Sequence, residues 1–353
     1  MTIALVLGGG APNLTLMAGA IAALDEAGVE FDVVSTAGAG MLIGLLYAAP
    51  KGMSRSAALK NTVNMGVHDA IHGLFPVNYK VFHKPGVMAQ AYTAYWQAMA
   101  RPQAEYWERL WGAFGADTQR LANDWAALML AAACPSDLGP ASLGLCQPAP
   151  FIGEAVDFAR LKDFEGEFYL SAYCVETEKM EIFPKEVIDV RHFQAALAFP
   201  LIYAPFELDG KTYLEGAAQD TLNFRGLYEH RRGKPHIDTI VVFDVLGMKE
   251  LIARLRNLYD AWVKSIIVPL VALAENDMKL FRKVHHATLN PRPRLLSLDF
   301  EGHIPKEHWP NVLDWSYSNL KLLYDVGYRA GKDFFAEHRA DLLDRPVAHA
   351  ALT

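Results

Sequence analysis

The chain of 353 residues carries 52% hydrophobic and 21% charged residues, which is enough apolar material for a packed core and excludes a disordered chain. Its formal net charge of −7 provides no basic footprint for nucleic acid at the level of the whole chain. Three cysteines, an odd number without metal-ligand spacing, predict reduced thiols and a cytoplasmic protein. At this length we expect one large α/β domain, or such a domain with a sizeable insertion.

Targeting and membrane segments are not expected. Residues 3–7 already have the pattern of a strand, so the N-terminal region does not resemble a signal peptide. The most apolar later run, residues 265–274, is far shorter than the roughly 20 residues that a bilayer-spanning helix needs. We therefore expect no transmembrane segment.

The first 50 residues predict a parallel strand–helix–strand unit. Residues 3–7 read as a buried strand and the glycine-rich stretch 8–13 as the turn that leaves it. A helix with apolar residues on one face follows and stops at Gly28, and residues 31–35 form the next strand. This order of elements predicts a right-handed unit of a parallel sheet.

The second strand runs into five small residues, 36–40, before the next helix. A strand, a sharp turn and a helix in this order resemble a nucleophile elbow, whose pattern G-x-S-x-G places a serine at the strained centre. Here the central residue is Gly38. Glycine adopts positive φ without a steric penalty, so Gly38 preserves the turn but supplies no hydroxyl.

Residues 78–150 predict a helical insertion with a loop-rich exit. Two interpretations of its aromatic residues stay open. One is ordinary packing against the main domain, and the other is a lid or a lipid-facing surface, because Trp and Tyr suit an apolar–polar boundary. The aromatic residues are Tyr79, Phe82, Tyr92, Tyr95, Trp96, Tyr106, Trp107, Trp111, Phe114 and Trp125.

The rest of the chain returns to strand signals and ends in helices. A hairpin is predicted at residues 206–214, because Asp209-Gly210 is a preferred pair for a two-residue turn. The other expected elements are strands at 168–174, 180–183, 239–243 and 295–300, and helices at 192–198, 247–286 and 315–337.

Four of these features together resemble the patatin-like phospholipase family. They are the glycine-rich turn after the first strand, the elbow, the segment 200–217, and the closing helix with Gly327. The resemblance covers nearly the whole chain except the insertion at 78–150. It implies an α/β fold, a three-layer α/β/α sandwich around a mostly parallel sheet. It also implies a single domain over residues 1–340 and a C-terminal tail at 341–353.

Members of this family are lipid acyl hydrolases with a Ser-Asp dyad and a glycine-rich oxyanion loop that carries a basic residue. Carried over by position, the nucleophile falls on Gly38 and the dyad aspartate on Glu215. The oxyanion loop falls on residues 9–13, with Leu14 where a glycine is expected. This loop has no Arg or Lys, and Pro12 has no N–H to donate. The implied oxyanion or ligand-binding positions are Gly9, Gly10, Ala11, Asn13 and Ala39.

These three departures affect the three parts that acyl transfer needs. We therefore expect a family member that has lost hydrolysis and acts as a lipid-binding or regulatory protein. The alternative is an active acyl hydrolase with a non-standard nucleophile, or another enzyme in which Glu215 acts as acid or base. The carboxylate of Glu215 would otherwise accept hydrogen bonds from loop N–H groups as a structural residue.

Expected partners are a lipid or acyl ligand, a peripheral membrane contact, and a protein partner or a second copy of the chain. We expect no cofactor, no metal and no nucleic acid. For the ligand itself, Glu215 would repel a fatty-acid carboxylate unless one of the two groups is protonated. A neutral acyl ester, amide or hydroxy-lipid is therefore the expected ligand.

Other candidates carry weaker signals. Ser35 and Thr36 lie beside the elbow centre, so their hydroxyls should point away from it. His68 and His72 have the i, i+4 spacing of a metal pair, although coincidence explains it among twelve histidines. Cys174 reads as a small core residue. A basic patch next to an apolar run suggests either headgroup contact or a solvated helix face; it contains Lys279, Arg282, Lys283, His285 and His286.

Overall fold

A mostly parallel sheet forms the middle layer of the computed structural model, which describes residues 1–11, 13–100, 104–229, 231, 234–252, 255 and 258–343. The strand order is β10-β9-β1-β2-β4-β8-β7, with β5 also paired to β4, and β3 pairs with β6 in a small separate sheet. The strands are β1 Ile3–Leu7, β2 Val33–Thr36, β3 Gly144–Cys146, β4 Glu167–Cys174, β5 Lys179–Pro184, β6 Leu201–Tyr203, β7 Phe206–Leu208, β8 Lys211–Glu215, β9 Thr239–Phe243 and β10 Arg294–Ser297.

Helices cover both faces of this sheet. Neighbouring strands from β10 to β4 run parallel, whereas β5, β7 and β8 form antiparallel pairs at the other end. The helices are α1 Leu14–Glu26, α2 Gly40–Ala48, α3 Arg55–Asn61, α4 Asp69–Leu74, α5 Val87–Ala100, α6 Ala104–Gly112, α7 Ala116–Ala133, α8 Ile152–Ala155, α9 Val190–Ala196, α10 Arg225–Tyr228, α11 Leu258–Leu280 and α12 Tyr317–Leu343.

The core has two halves because side chains alternate between the faces of a strand. In β1, Leu5 and Leu7 pack on the side of α1, α2 and α12, while Ala4 and Val6 pack on the opposite side with Leu222 and neighbouring residues. Both faces are apolar, as parallel strands buried on both sides require. The molecule is therefore the α/β/α sandwich that the sequence predicted.

The closing helix α12 packs directly on α1 through glycines. A Cβ atom added at Gly19 would lie 2.7 Å from the Tyr328 nitrogen, and one added at Gly327 would lie 2.8 Å from the Leu16 Cα. Real Cβ atoms do not approach other atoms this closely, so both positions need glycine. The close approach explains why Gly327 stands in the middle of a helix.

Most predicted elements are confirmed, and the exceptions are short. The hairpin of β7 and β8 turns at Asp209 and Gly210, which have φ of 51° and 80°, as its two-residue turn requires. The predicted strand 239–243 coincides with β9. The loop-rich exit of the insertion contains the short strand β3. Neither this strand nor its pairing with β6 was predicted. The predicted tail from 341 lies outside the described residues beyond Leu343.

The insertion consists mainly of α5, α6 and α7. Asp124 of α7 anchors it, because this buried carboxylate accepts the N–H of His68 at 2.6 Å and lies 2.6 Å from the Lys80 Nζ. In the part of the chain that the structure describes, no helix combines the length and the apolarity that crossing a bilayer requires.

The aromatic residues of the insertion divide into two groups. Tyr79 and Phe82, near its base, are half-buried, and Phe82 stacks edge-on against Trp315. The side chain of Trp107 lies outside the described residues. The side chains of five others have exposed fractions of 40% or more; they are Tyr95, Trp96, Tyr106, Phe114 and Trp125.

Candidate functional site

The turn between β2 and α2 is centred on Gly38, which has φ of +48°. The chain folds back so tightly here that a Cβ atom at Gly40 would lie 2.7 Å from the Leu7 carbonyl oxygen. Glycine is therefore required at position 40, where the helix leaves the turn. The backbone is that of an elbow, with glycine where a nucleophile would stand.

Glu215 lies directly against this elbow. It is the last residue of β8, and its N–H donates to the Ala198 carbonyl at 3.0 Å. Its Oε1 atom occupies the space that a Cβ atom at Gly38 would take, and such an atom would also lie 2.8 Å from the Ala217 Cβ. A side chain at position 38 and the present conformation of Glu215 exclude each other.

Burial controls the charge of Glu215. The residue is 8% exposed, and its carboxyl group makes no hydrogen bond or ion pair with the described residues. Burial raises its pKa to about 8, because the ionised form loses water without gaining a compensating partner. Glu215 is therefore mostly protonated at neutral pH and can donate a hydrogen bond.

The glycine-rich loop has two kinds of N–H group. Those of Gly8 and Gly9 are used inside the fold, donating to the carbonyls of Phe243 at 3.0 Å and Thr221 at 3.1 Å. Those of Gly10, Ala11 and Ala39 have no hydrogen-bond partner among the described residues, and all three residues line the same cavity. Unpaired backbone donors at a cavity wall are available to a ligand.

Two of the predicted binding residues are thus structural. The Gly9 N–H is already used, and Gly9 does not line the cavity. Asn13 is fully buried, and its Nδ2 donates to the Val245 carbonyl at 2.8 Å, which ties the start of α1 to the end of β9. Pro12, assigned to the same loop, lies outside the described residues. Gly10, Ala11, Ala39 and Glu215 remain together.

These residues form one end of a cavity of about 520 Å³. This volume falls within the range of roughly 300–1,000 Å³ typical of small-molecule sites. Helix α11 supplies one wall, and the base of the insertion another. The apolar lining includes Met41, Leu42, Val81, Phe82, Phe151, Phe193, Trp262, Ile266, Ile267, Leu270 and Trp315.

Tyr203 lies near Glu215 in this cavity, and Cys146 lies near Tyr203. Burial, together with the nearby Cys146 and Glu215, raises the pKa of Tyr203. Burial also raises the pKa of Cys146 to about 11, so its thiol stays protonated at neutral pH. Both residues line the cavity, on the paired strands β6 and β3. Neither residue was predicted from the sequence, because the pairing of β3 with β6 gives no local signal.

The remaining candidate site residues lie away from the cavity or already make hydrogen bonds within the fold. The Ser35 and Thr36 hydroxyls are fully buried and donate to the carbonyls of Asn223 at 2.7 Å and Tyr169 at 3.0 Å. His68 precedes helix α4 rather than sharing it with His72, and its Nδ1 accepts the Ala70 N–H. In the described part of the chain, no group of three metal-ligating side chains forms a site.

Cys174 and the basic patch have ordinary surroundings. Cys174 is fully buried in β4. Within the patch, Lys279 pairs with Glu275 at 2.9 Å and the His285 ring stacks on Tyr228. The His286 ring contacts the carbonyl of Pro293 at 2.7 Å.

The fold and the site together define an α/β/α protein with an elbow turn at the end of an apolar cavity. A family model described as patatin-like phospholipase matches residues 5–228, more than half of the chain. The chain belongs to the patatin-like phospholipase family.

Comparison with individual proteins adds little to this assignment. No curated protein matches the chain. Among solved structures, the chain is similar to VipD from Legionella pneumophila, with 13% identity and a TM-score of 0.41. The match covers 96% of this chain and 67% of that one. A likeness at this level carries no argument about the site.

Proposed function

We propose that this family member binds the acyl part of a lipid in its cavity and does not hydrolyse it. The observation that carries the proposal is the contact between Gly38 and Glu215. Position 38 supplies no nucleophile. The carboxyl group at 215 fills the volume that a serine side chain would need.

Gly38 and Glu215 are complementary in size, and this supports the proposal. Replacing serine by glycine opens space at the elbow, and replacing aspartate by the longer glutamate fills it. Restoring serine alone would force its Cβ atom against the Glu215 Oε1. Under this proposal, restoring the Ser-Asp dyad of the family requires both substitutions.

The other hydroxyl and thiol groups near the elbow are poorly suited to act as nucleophiles. The hydroxyls of Ser35 and Thr36 are fully buried and hydrogen-bonded within the sheet. The thiol of Cys146 faces the cavity, but its raised pKa, about 11, leaves almost no thiolate at neutral pH. The thiolate is the reactive form, so Cys146 is a poor nucleophile here.

A second candidate function rests on the raised pKa of Glu215. A carboxylic acid that keeps its proton near pH 7 in an apolar cleft has the properties of a general acid. Under this alternative the protein is an enzyme that protonates a bound substrate. Turnover of an acyl substrate that Glu215→Gln abolishes would favour this function over simple binding.

We further propose that the exposed aromatic residues of α5–α7 contact a membrane surface from which the ligand enters. Exposed Trp and Tyr suit the boundary between headgroups and acyl chains. The base of the insertion also reaches the cavity, since His83, Lys84 and Leu145 line it. Co-sedimentation with phosphatidylcholine vesicles tests this contact, and Tyr95→Ser with Phe114→Ser should reduce it.

The central test of the proposal is an ester assay with labelling. Purified protein should release no p-nitrophenol from p-nitrophenyl dodecanoate above the buffer rate. A serine-directed fluorophosphonate should leave the protein unlabelled. Stoichiometric labelling mapped to any residue of the cavity would show that a working nucleophile exists and would overturn the proposal.

A further inference from the structure

The polar groups of the cavity are distributed unevenly. Among its described lining residues, apart from the indole N–H groups of Trp262 and Trp315, polar or ionisable side chains belong to Asn78, His83, Lys84, Cys146, Tyr203 and Glu215. The first three are engaged with backbone carbonyls, and for Lys84 these are Ala132 at 3.3 Å and Cys134 at 2.8 Å. The side chains of Cys146, Tyr203 and Glu215 make no hydrogen bond within the described part of the chain.

Hydrogen-bond donors without a protein partner therefore lie together at one end of a mostly apolar cavity. The Tyr203 hydroxyl and the protonated Glu215 carboxyl join the three N–H groups of Gly10, Ala11 and Ala39. The Glu215 side chain is more than nine-tenths buried and lies against the start of α2. Buried polar groups without partners are rare in folded proteins, and such a cluster points to a ligand that supplies acceptors.

We infer that the cavity prefers a free carboxylic acid with a single long acyl chain, whose carboxylate shares the Glu215 proton and accepts hydrogen bonds from Tyr203 and the unpaired N–H groups. This inference rests on the proposed function and specifies its ligand. No covalent bond forms or breaks, because one proton is shared between two carboxyl groups. The acyl chain lies along the wall that α11 and the base of the insertion provide.

The number of donors discriminates between head groups. A carboxylate offers about four acceptor sites and no donor, whereas an ester carbonyl offers two and an alcohol adds a donor of its own. Repulsion between a fatty-acid carboxylate and Glu215, the reason for expecting a neutral ligand, disappears when Glu215 keeps its proton. The partial positive charge at the start of α2 also favours the anion.

The same arrangement makes binding depend on pH. The titratable group that faces Glu215 is Tyr203 on β6, and Cys146 on β3 lies near Tyr203; the glycine-rich loop and the elbow contribute none. Tyr203 and Cys146 both have raised pKa values and stay neutral below pH 9. His83 and Lys84 line the cavity from the base of the insertion. Loss of the Glu215 proton above pH 8 should therefore weaken binding, by about tenfold per pH unit.

The experiment compares dodecanoic acid, methyl dodecanoate and dodecan-1-ol, with Trp262 and Trp315 in the cavity as fluorescence reporters. At pH 6.5 the acid should bind at least about tenfold more tightly than the ester or the alcohol. Each methylene added to the acid should tighten binding about fourfold until the cavity is full.

Variants at two positions complete the test. Glu215→Gln should bind the acid at pH 6.5 and lose the weakening above pH 8, because its amide still donates a hydrogen bond. Glu215→Leu should lose at least about tenfold in affinity, and Tyr203→Phe should show a smaller loss. Each variant is close in size to the residue that it replaces, and its far-ultraviolet circular dichroism should match that of the unmodified protein.

The outcomes separate this inference from the proposed function. If the ester or the alcohol binds as tightly as the acid, or Glu215→Leu leaves acid binding unchanged, the inference is overturned while acyl binding stands. If none of the three probes binds, the proposed function falls together with the inference.

Discussion

The elbow and the insertion meet at one cavity, yet their side chains are used in opposite ways. At the elbow, Gly38 lies so close to Glu215 that a side chain at position 38 requires the Glu215 carboxyl group to move. In the insertion, Tyr106 and Phe114 remain 64% and 67% exposed. Internal contacts therefore account for the residues of the elbow, whereas much of the aromatic surface of the insertion stays exposed to solvent.

The largest loss of stability should come from removing the carboxylate of Asp124, which ties the insertion to the main domain. Asp124→Ala leaves Lys80 and the His68 N–H without their buried partner, so we expect the free energy of unfolding to fall by about 3 kcal/mol. Asp117→Ala is the matched control on the same helix, since its carboxylate is exposed, and it should cost less than about 1 kcal/mol. Urea unfolding measures both, and equal losses would mean that Asp124 is not the anchor.

Substitution at the elbow should cost somewhat less. Gly38→Ser should lower the free energy of unfolding by roughly 1–3 kcal/mol, through positive φ and the clash with Glu215. Gly28→Ser is the control, because Gly28 also has positive φ but no neighbour within 4 Å of its added Cβ atom.

A second substitution, at Glu215, tests whether the loss of stability in Gly38→Ser comes from the contact between the two positions. Glu215→Asp should recover about 1 kcal/mol in the Gly38→Ser background and nothing in the Gly28→Ser background, a coupling that a double-mutant cycle measures. Equal behaviour in the two backgrounds would contradict the contact between positions 38 and 215.

The buried carboxyl at the elbow also predicts a pH dependence. Between about pH 4.5 and pH 8 the folded state keeps the Glu215 proton while the unfolded state releases it, so stability falls as pH rises. The slope reaches about 1.4 kcal/mol per pH unit. Asp220, with its pKa raised to about 6, acts in the same direction at lower pH.

Comparison with Glu215→Gln between pH 6.5 and 8 isolates the contribution of Glu215, because burial raises the pKa values of Asp244 and Asp277 as well. Thermal or urea unfolding should show a falling stability for the unmodified protein and a flatter profile for Glu215→Gln. Parallel profiles for the two proteins would mean that Glu215 is already ionised at pH 6.5.

The smallest effect on stability should appear on the surface of the insertion. Tyr95→Ser and Phe114→Ser remove exposed side chains, so each should change the free energy of unfolding by less than about 0.5 kcal/mol. Phe82→Ser, which breaks the contact with Trp315, should cost clearly more. A large loss at Tyr95 or Phe114 would show that these rings pack within the fold.

Much of the fold could be predicted from local pattern. Alternating or continuous apolar runs identified β1, β4 and β9, and Asp209-Gly210 identified the hairpin turn. The pairing of β3 with β6 joins short strands that are far apart in sequence, so no local pattern indicates it.

The candidate site was predicted less completely. Gly38 and Glu215 were found from the resemblance, but their contact and the raised pKa of Glu215 depend on packing across the fold. Helix α11 was not predicted to form a cavity wall, because its position also depends on packing across the fold. Asn13 and Gly9 were placed in the binding loop because a sequence cannot tell which polar groups the fold itself uses.

Native mass spectrometry of the protein after incubation with p-nitrophenyl dodecanoate tests the central claim most directly. Binding without hydrolysis predicts a complex with the mass of the intact ester, no covalent acyl adduct and no release of p-nitrophenol above buffer. A covalent dodecanoyl adduct on the chain, accompanied by release of p-nitrophenol, would contradict it.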